Sequence, residues 1–451
     1  MAILRNLRFR LRQGQHGPAG LVLLVLFLAL ALFQIEPFPT FFFVCAWYPF
    51  LLILDALVLR RRGGSLLTDR PLAFACLLGW SLPFWLVFEA ANLRLQNWYY
   101  VNVPADPLAA RLLLILSFAT VLPGLIEMFD LLEAYGLFRK LRTPRFHAGA
   151  GLRAALVASG LLMLALALLF PGTCYPLIWG FLVLLLEPFN RRPGWRSLLR
   201  DLERGRPGRL LRLVVAGLLC GLYWEVMNMP ARARWIYSIP FFEETLGVEM
   251  PPIGFLGFAP FALEAYAFVR ALEILGLSVP FEPDGGGRPA IGIQAAVRLL
   301  VLPALAALFC VATIRGLERH TVDSTIARVD QLTSASRRQA AALELAGLGD
   351  LRTLLRAGRT EAGRRELAEL LLSPPERVFE LLVEAKLIEL RGLGVENARM
   401  LMRAGIESVP ELAERDPGEL YRLLARRGEP AGPFLRRRLG LWIRAARRAG
   451  A

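Results

Sequence analysis

The chain has 451 residues, 55% of them hydrophobic, and carries 53 Lys+Arg against 38 Asp+Glu for a formal net charge of +15. Long, nearly uncharged runs at 21–32, 39–59 and 152–170 exclude a soluble globule and point to a polytopic membrane protein. Cys45, Cys76, Cys174, Cys220 and Cys310 lie in or beside apolar runs at irregular spacing, which excludes a disulfide scaffold or a Cys-x-x-Cys centre, and His16, His147 and His320 are too scattered for a metal cluster.

In chain order, hydropathy places spans at 20–35, 39–59, 72–92, 110–138, 152–170, 174–189, 210–229, 253–276 and 295–314, the sixth of them short. Each must be helical, because a bilayer leaves no partner for an unpaired peptide group. Pro83, Pro123, Pro260 and Pro303 are expected to kink their helices. With the amino terminus inside, the inner segments hold 24 Lys/Arg and the outer ones only Arg94, Arg111, Arg232 and Arg234, so the terminus is assigned to the cytoplasm of a bacterial-type inner membrane. The first span follows Arg5, Arg8, Arg10 and Arg12 and precedes Gln-Ile-Glu-Pro-Phe-Pro without a small-x-small cleavage site, so it is expected to stay as a signal anchor. Nine crossings put the region after 314 outside, whereas its 25 Lys/Arg against 19 Asp/Glu favour the inside.

The chain also resembles itself. Trp47, Asp55, Arg60-Arg61 and Ser65 recur as Trp179, Glu187, Arg191-Arg192 and Ser197, while Glu89-x-x-Asn92, Trp98-x-Tyr100 and Pro123-x-x-x-Glu127 recur as Glu225-x-x-Asn228, Trp235-x-Tyr237 and Pro260-x-x-x-Glu264. The pattern implies two tandem copies of four spans with a common orientation, related by an axis along the membrane normal. Carboxylates within a bilayer cost about 2.5–3.5 kcal/mol each on insertion scales, so their retention in both copies calls for a reason. Glu89 with Asn92, and Glu225 with Asn228, share a helix face, and Glu127 and Glu264 lie deeper, four residues after a proline. Two readings account for them: catalytic or proton-carrying groups around a shared chamber, or interhelical hydrogen-bonding glue. Asp55 and Glu187, beside arginines at the inner edge, read as interfacial ion pairs. Trp98, Tyr99, Tyr100, Trp235 and Tyr237 read as an outer aromatic belt or, alternatively and for all but Tyr99, a substrate platform.

At these residues the sequence resembles the lycopene cyclase domain of the heterodimeric and fungal fused type, over roughly 40–276, and is similar also to carotenoid hydratases. The resemblance implies paired membrane repeats, an isoprenoid or carotenoid substrate, no cofactor, and Glu127 and Glu264 as proton donors with Glu89 and Glu225 steadying a carbocation or returning the proton. Trp224-Glu225 matches the family's tryptophan-acid element, but Phe88-Glu89 replaces it in the first copy, and a single late carboxylate replaces Pro-x-Glu-Glu in both. The resemblance therefore reaches the fold more firmly than the reaction.

After 314 an Arg/Glu/Leu-rich helical pattern begins. Gly347-Leu-Gly349 and Gly392-Leu-Gly394 each open a similar segment and resemble helix-hairpin-helix turns, which implies exposed amides at a helix start and a nucleic-acid or protein partner. An outer location removes nucleic acid and leaves a protein. The stretch 434–448 reads as a basic amphipathic helix suited to anionic lipid or as a solvated helix end, and Gly285-Gly-Gly287 as a linker.

The expected architecture is thus all-α: a basic cytoplasmic terminus over 1–19, transmembrane repeats over 20–142 and 143–279, a linker and last span over 280–314, a linker over 315–340, a helix-hairpin-helix domain over 341–428 and a tail over 429–451. Membrane lipid, an isoprenoid substrate and a protein partner are the expected ligands. Three functional readings stand: proton-initiated cyclisation or hydration, a non-catalytic scaffold, and proton-coupled transport of a lipid-like molecule.

Overall fold

The computed structural model describes residues 13–239, 250–282, 293–429 and 433–450. The basic segment 1–12 and the glycine linker at 285–287 lie outside the described residues. The described chain is mainly helical and divides into two compact units.

The first unit holds α1 (His16–Leu32), α2 (Phe42–Arg62), α3 (Pro71–Leu95), most of α4 (Pro107–Phe118), α5 (Val121–Ala134), α6 (Ala150–Leu169), α7 (Phe181–Asn190), α8 (Gly208–Asn228), α9 (Phe258–Ile274) and α10 (Ile293–His320). Seven segments are long and apolar enough to cross a membrane: Phe42–Arg62, Pro71–Leu95, Pro107–Ala134, Ala150–Leu169, Gly208–Asn228, Pro252–Ile274 and Leu299–His320. This is the pattern of a multi-pass membrane protein. Two expected spans, the first and the sixth, are the shorter apolar helices His16–Leu32 and Tyr175–Asn190. The first, with 17 residues, rises only about 25 Å, less than the roughly 30 Å hydrocarbon core.

Pro83 and Pro303 do sit inside helices, but Pro123 and Pro260 do not act as kinks. Each is the third residue of its helix, α5 or α9, where the missing N–H would have no intrahelical partner anyway. The span expected over 110–138 accordingly breaks between α4 and α5, and Glu127 and Glu264 are each the seventh residue of their helix, at the end of the second turn of α5 and α9. Helices α1 and α2 approach so closely that a Cβ on Gly20 would lie 2.8 Å from the carbonyl of Pro49. Gly160 on α6 meets the carbonyl of Phe181 on α7 at the same 2.8 Å. Between these layers lies an aromatic core. The ring of Trp47 is 5.8 Å from that of Trp224, Phe88 stacks on Trp179 at 5.2 Å, and Trp85 lies 5.1 Å from Trp224 and 5.7 Å from Phe261.

The second unit gathers Gln96–Ala110, the described part of Ala233–Glu243, and the chain from His320 onward. Strand β1 (Trp98–Val101) pairs antiparallel with β2 (Arg234–Tyr237) in the register Trp98 to Tyr237, Tyr99 to Ile236 and Tyr100 to Trp235. Residues 321–326 run alongside β1: the Tyr100 amide donates to the Thr321 carbonyl at 2.7 Å and the Asp323 amide to the Tyr100 carbonyl at 2.8 Å. Helices α11 (Arg337–Leu345), α12 (Leu351–Ala357), α13 (Glu361–Leu370), α14 (Pro375–Ile388), α15 (Gly394–Arg403), α16 (Val409–Ala413), α17 (Pro417–Arg426) and α18 (Pro433–Gly450) follow. Ser336, Asp350, Thr360, Ser408 and Asp416 cap five of them with side-chain oxygens, the polar starts that short soluble helices need.

Two expected boundaries change. The stretch 315–340 is no linker, because Ala327, Val329 and Leu332 belong to the same core as the helices that follow. Nor is α18 a free amphipathic tail: Leu439, Trp442, Ile443 and Ala446 are wholly buried in that core, so its apolar face is already used.

Candidate functional site

All six acids and amides singled out by the repeat, Glu89, Asn92, Glu127, Glu225, Asn228 and Glu264, are fully buried. Most are engaged near at hand. Glu89 Oε1 accepts from Trp85 Nε1 at 2.9 Å, one turn earlier on α3. Glu225 Oε2 accepts from the Met250 amide at 3.1 Å. Glu264 Oε1 accepts from the Leu182 amide at 2.9 Å, at the start of α7. Glu127 differs: among the described residues neither of its oxygens has a hydrogen-bond partner.

Asp55 and Glu187, expected as interfacial ion pairs, are buried acceptors for helix starts. Asp55 takes the Leu67 amide at 2.9 Å and the Ser65 hydroxyl at 2.8 Å, while Glu187 takes the Leu199 amide at 2.9 Å. Ser65 and Ser197 in turn cap the short helices Leu66–Asp69 and Leu198–Glu203. Asp55 also meets His16 Nε2 at 2.9 Å, where Glu187 instead takes Asn190 Nδ2 at 3.5 Å, and the other ring nitrogen of His16 is buried without a partner. Sequence reading met Ser65 only as a repeated position and His16 only as one of three scattered histidines. The constant spacing of ten from acid to serine, Asp55 to Ser65 and Glu187 to Ser197, was the available signal for the serine, and nothing local marked the histidine.

Several arginines of the first unit pair with acids. Arg62 reaches Asp130 at 3.2 Å and Glu133 at 3.1 Å, Arg212 reaches Glu133 at 3.2 Å, Arg209 reaches Asp201 at 2.9 Å, and Arg270 pairs with Glu273 and Glu282. Outside the spans, the Arg191 guanidinium donates to Glu203 at 2.7 and 2.9 Å and holds its carboxyl below the ordinary range. Among the described residues no group of His, Cys, Asp and Glu has the arrangement to hold a metal ion.

The aromatic residues expected as a belt or platform form the strand pair instead. Trp98 and Trp235 are buried, Tyr100 and Tyr237 half-buried. Between them Tyr99 extends its hydroxyl to the Gly392 carbonyl at 3.3 Å, and Trp442 Nε1 donates to the same carbonyl at 2.7 Å. Gly392 has φ +80°, and a Cβ there would lie 2.7 Å from the Tyr99 hydroxyl, so only glycine serves. Gly394, opening α15, abuts Ser324, and Asn397 donates to Asp323 at 2.7 Å. The second hairpin is therefore filled by the chain's own residues. In the first, a Cβ on Gly347 (φ +75°) would meet nothing within 4 Å, while Gly349 lies close to Glu344 and Arg328 and its carbonyl accepts from the Val329 amide at 3.0 Å. Burial pushes the Asp323 carboxyl above its ordinary range, against the opposing pull of Arg438 and Asn397.

Residues 333–446 match a family described as a domain of unknown function, DUF4332. No curated protein and no solved structure matches the chain.

Proposed function

We propose that the protein is an integral membrane anchor made of two copies of one four-helix unit, whose equivalent loops join to hold the carboxy-terminal helical module for a protein partner. The observation that carries this reading is the register of β1 and β2. Trp98, Tyr99 and Tyr100 correspond by the repeat to Trp235, Ile236 and Tyr237, and they pair antiparallel about the Tyr99–Ile236 position, so each equivalent tryptophan faces the other copy's tyrosine. Such self-complementary pairing is what a local two-fold axis between copies produces. Reciprocal ring contacts support it, since Trp47 meets Trp224 and the equivalent Trp179 meets Phe88.

The same loops carry residues 321–326 and the Gly392 turn, so the module shares their side of the membrane. With the amino terminus in the cytoplasm of a bacterial-type inner membrane, that side is the outer one. A protein partner fits better than nucleic acid, because the second hairpin is occupied while Leu345, Leu372 and Phe379 stand 92%, 82% and 63% exposed. Photo-crosslinkers at these three positions in the full chain are expected to give one discrete protein adduct in cells. Adducts with lipid alone oppose the reading.

A second reading, acid-initiated conversion of an isoprenoid on a lycopene-cyclase-like fold, is favoured by Glu127 and its unpartnered oxygens. Isoprenoid extracts from cells making wild type or Glu127→Gln/Glu264→Gln discriminate the two. Identical profiles support the anchor, and a lost product supports the enzyme.

A further inference from the structure

Three helices of the second unit stop on a glycine. The residue after the cap is Gly347 for α11, Gly405 for α15 and Gly428 for α17, with φ of +75°, +82° and +77°. Each takes the left-handed backbone that glycine adopts without a Cβ penalty. Helix α13 stops in the same way on Leu372, at φ +47°, the one non-glycine with positive φ among the described residues after 320. The Ser373 amide closes on the Ala368 carbonyl at 3.0 Å and the Leu372 amide on the Glu369 carbonyl at 3.2 Å, so this is a regular helix stop with a leucine where glycine is favoured. The side chain contributes no packing, being 82% exposed. Strain of this kind marks a position whose use lies outside the packed chain.

Helix α14 carries a second exposed apolar group, Phe379, at 63%. Leu372 precedes the first residue of α14 by three positions and Phe379 is its fifth residue, so their Cα atoms lie at most about 17 Å apart. About three turns of a single partner helix span that distance.

The charges around the pair are acidic. Residues 361–380 hold five Glu against three Arg, whereas 381–451 hold nine Asp/Glu against fourteen Lys/Arg. The three arginines are committed: Arg365 to Glu361, Arg377 to Glu380, and Arg364 to the carbonyls of Gly358 and Arg359. Glu366, Glu369 and Glu376 are exposed and have no ion-pair partner among the described residues. Glu376 lies one turn before Phe379 on the same helix face.

We infer that Leu372 and Phe379 form an apolar knob in an acidic setting that docks a basic amphipathic helix of a partner protein. The partner's apolar residues meet the knob, and its Lys or Arg side chains meet Glu366, Glu369 and Glu376. Anionic lipid fits poorly, because these glutamates would face its phosphates. A second copy of this chain fits no better, since its own arginine-rich helix, α18, has its apolar face buried in the core. The inference deepens the anchor reading and rests on it for the existence of a protein partner.

The test is fluorescence anisotropy with the full-length protein in zwitterionic nanodiscs. The probes are two synthetic helices with the same leucine face, one carrying arginine and the other glutamate on the polar face, and empty nanodiscs set the baseline. Wild type is expected to bind the arginine helix about tenfold more tightly than the glutamate helix, and Glu366→Lys/Glu369→Lys/Glu376→Lys to reverse the order. Leu372→Gly should weaken binding of the arginine helix about tenfold without lowering the melting temperature, because glycine relieves the backbone as it removes the knob. Equal affinity for the two helices, or a Leu372→Gly variant that binds like wild type, overturns the inference. Crosslinks from position 372 in cells separate it from the anchor reading: a protein adduct through an acidic segment overturns the inference alone, whereas adducts with lipid alone overturn both.

Discussion

Glu127 and Glu264 each follow a proline by four residues but differ in bonding, since only Glu264 takes a backbone amide, so the same substitution should have unequal effects. Glu264→Leu strands the Leu182 amide at a buried helix start and is expected to cost about 1–3 kcal/mol, whereas Glu127→Leu removes a group with no donor to lose and should be neutral or stabilising. Denaturant unfolding in detergent measures the difference, and equal losses would refute the asymmetry. Asp323 gives a pH dependence. Burial raises its carboxyl above the ordinary aspartate value of 3.8, so the folded state binds the proton more tightly than the unfolded chain. The contribution of Asp323 to the stability of the second unit should therefore be fully present below 3.8 and decline as pH rises through the raised value. Glu203 has the reverse sign: its lowered carboxyl supports the first unit above 4.5, and that support fades as pH falls through the lowered value. Thermal unfolding of wild type and Asp323→Asn between the acid range and neutrality should show the Asp323 slope vanish in the variant.

Among the elements, the turn into α15 and helix α18 show how a sequence pattern acquires a particular role. Gly392→Ala is expected to cost about 1–2 kcal/mol for the left-handed backbone alone, with a further loss from displacing Tyr99, while Gly347→Ala pays only the backbone part. Similar melting temperatures for the two variants would refute the packed hairpin. The amphipathic pattern of 434–448 was plain in the sequence, but periodicity states only that one face is apolar. Core packing against Trp442 and Ile443, rather than lipid, supplies the cover. Prolines 123 and 260 teach the same lesson: a proline in an apolar run reads as a kink until the turn before it is visible.

For the whole molecule, the second unit is assembled from three separated stretches of chain, a composition that hydropathy could not show. Reporters placed at the carboxy terminus and in the loop around 102–106 should give the same membrane side, opposite to a reporter in the loop around 139–149. Opposite sides for the first two would dismantle the anchor. Most spans were legible because burying peptide groups in lipid demands long apolar helices, and that demand is written residue by residue.

What the sequence by itself determined, then, was helical content, the positions of most spans and the identities of the buried acids. The tertiary structure alone decided which acids are engaged, that His16 joins Asp55 across 39 positions, and that two aromatic loops become a strand pair carrying the carboxy-terminal helices. Hydropathy and spacing are local properties of the chain. Whether a buried carboxylate finds a donor depends on where another helix happens to begin, and that is fixed only when the helices pack.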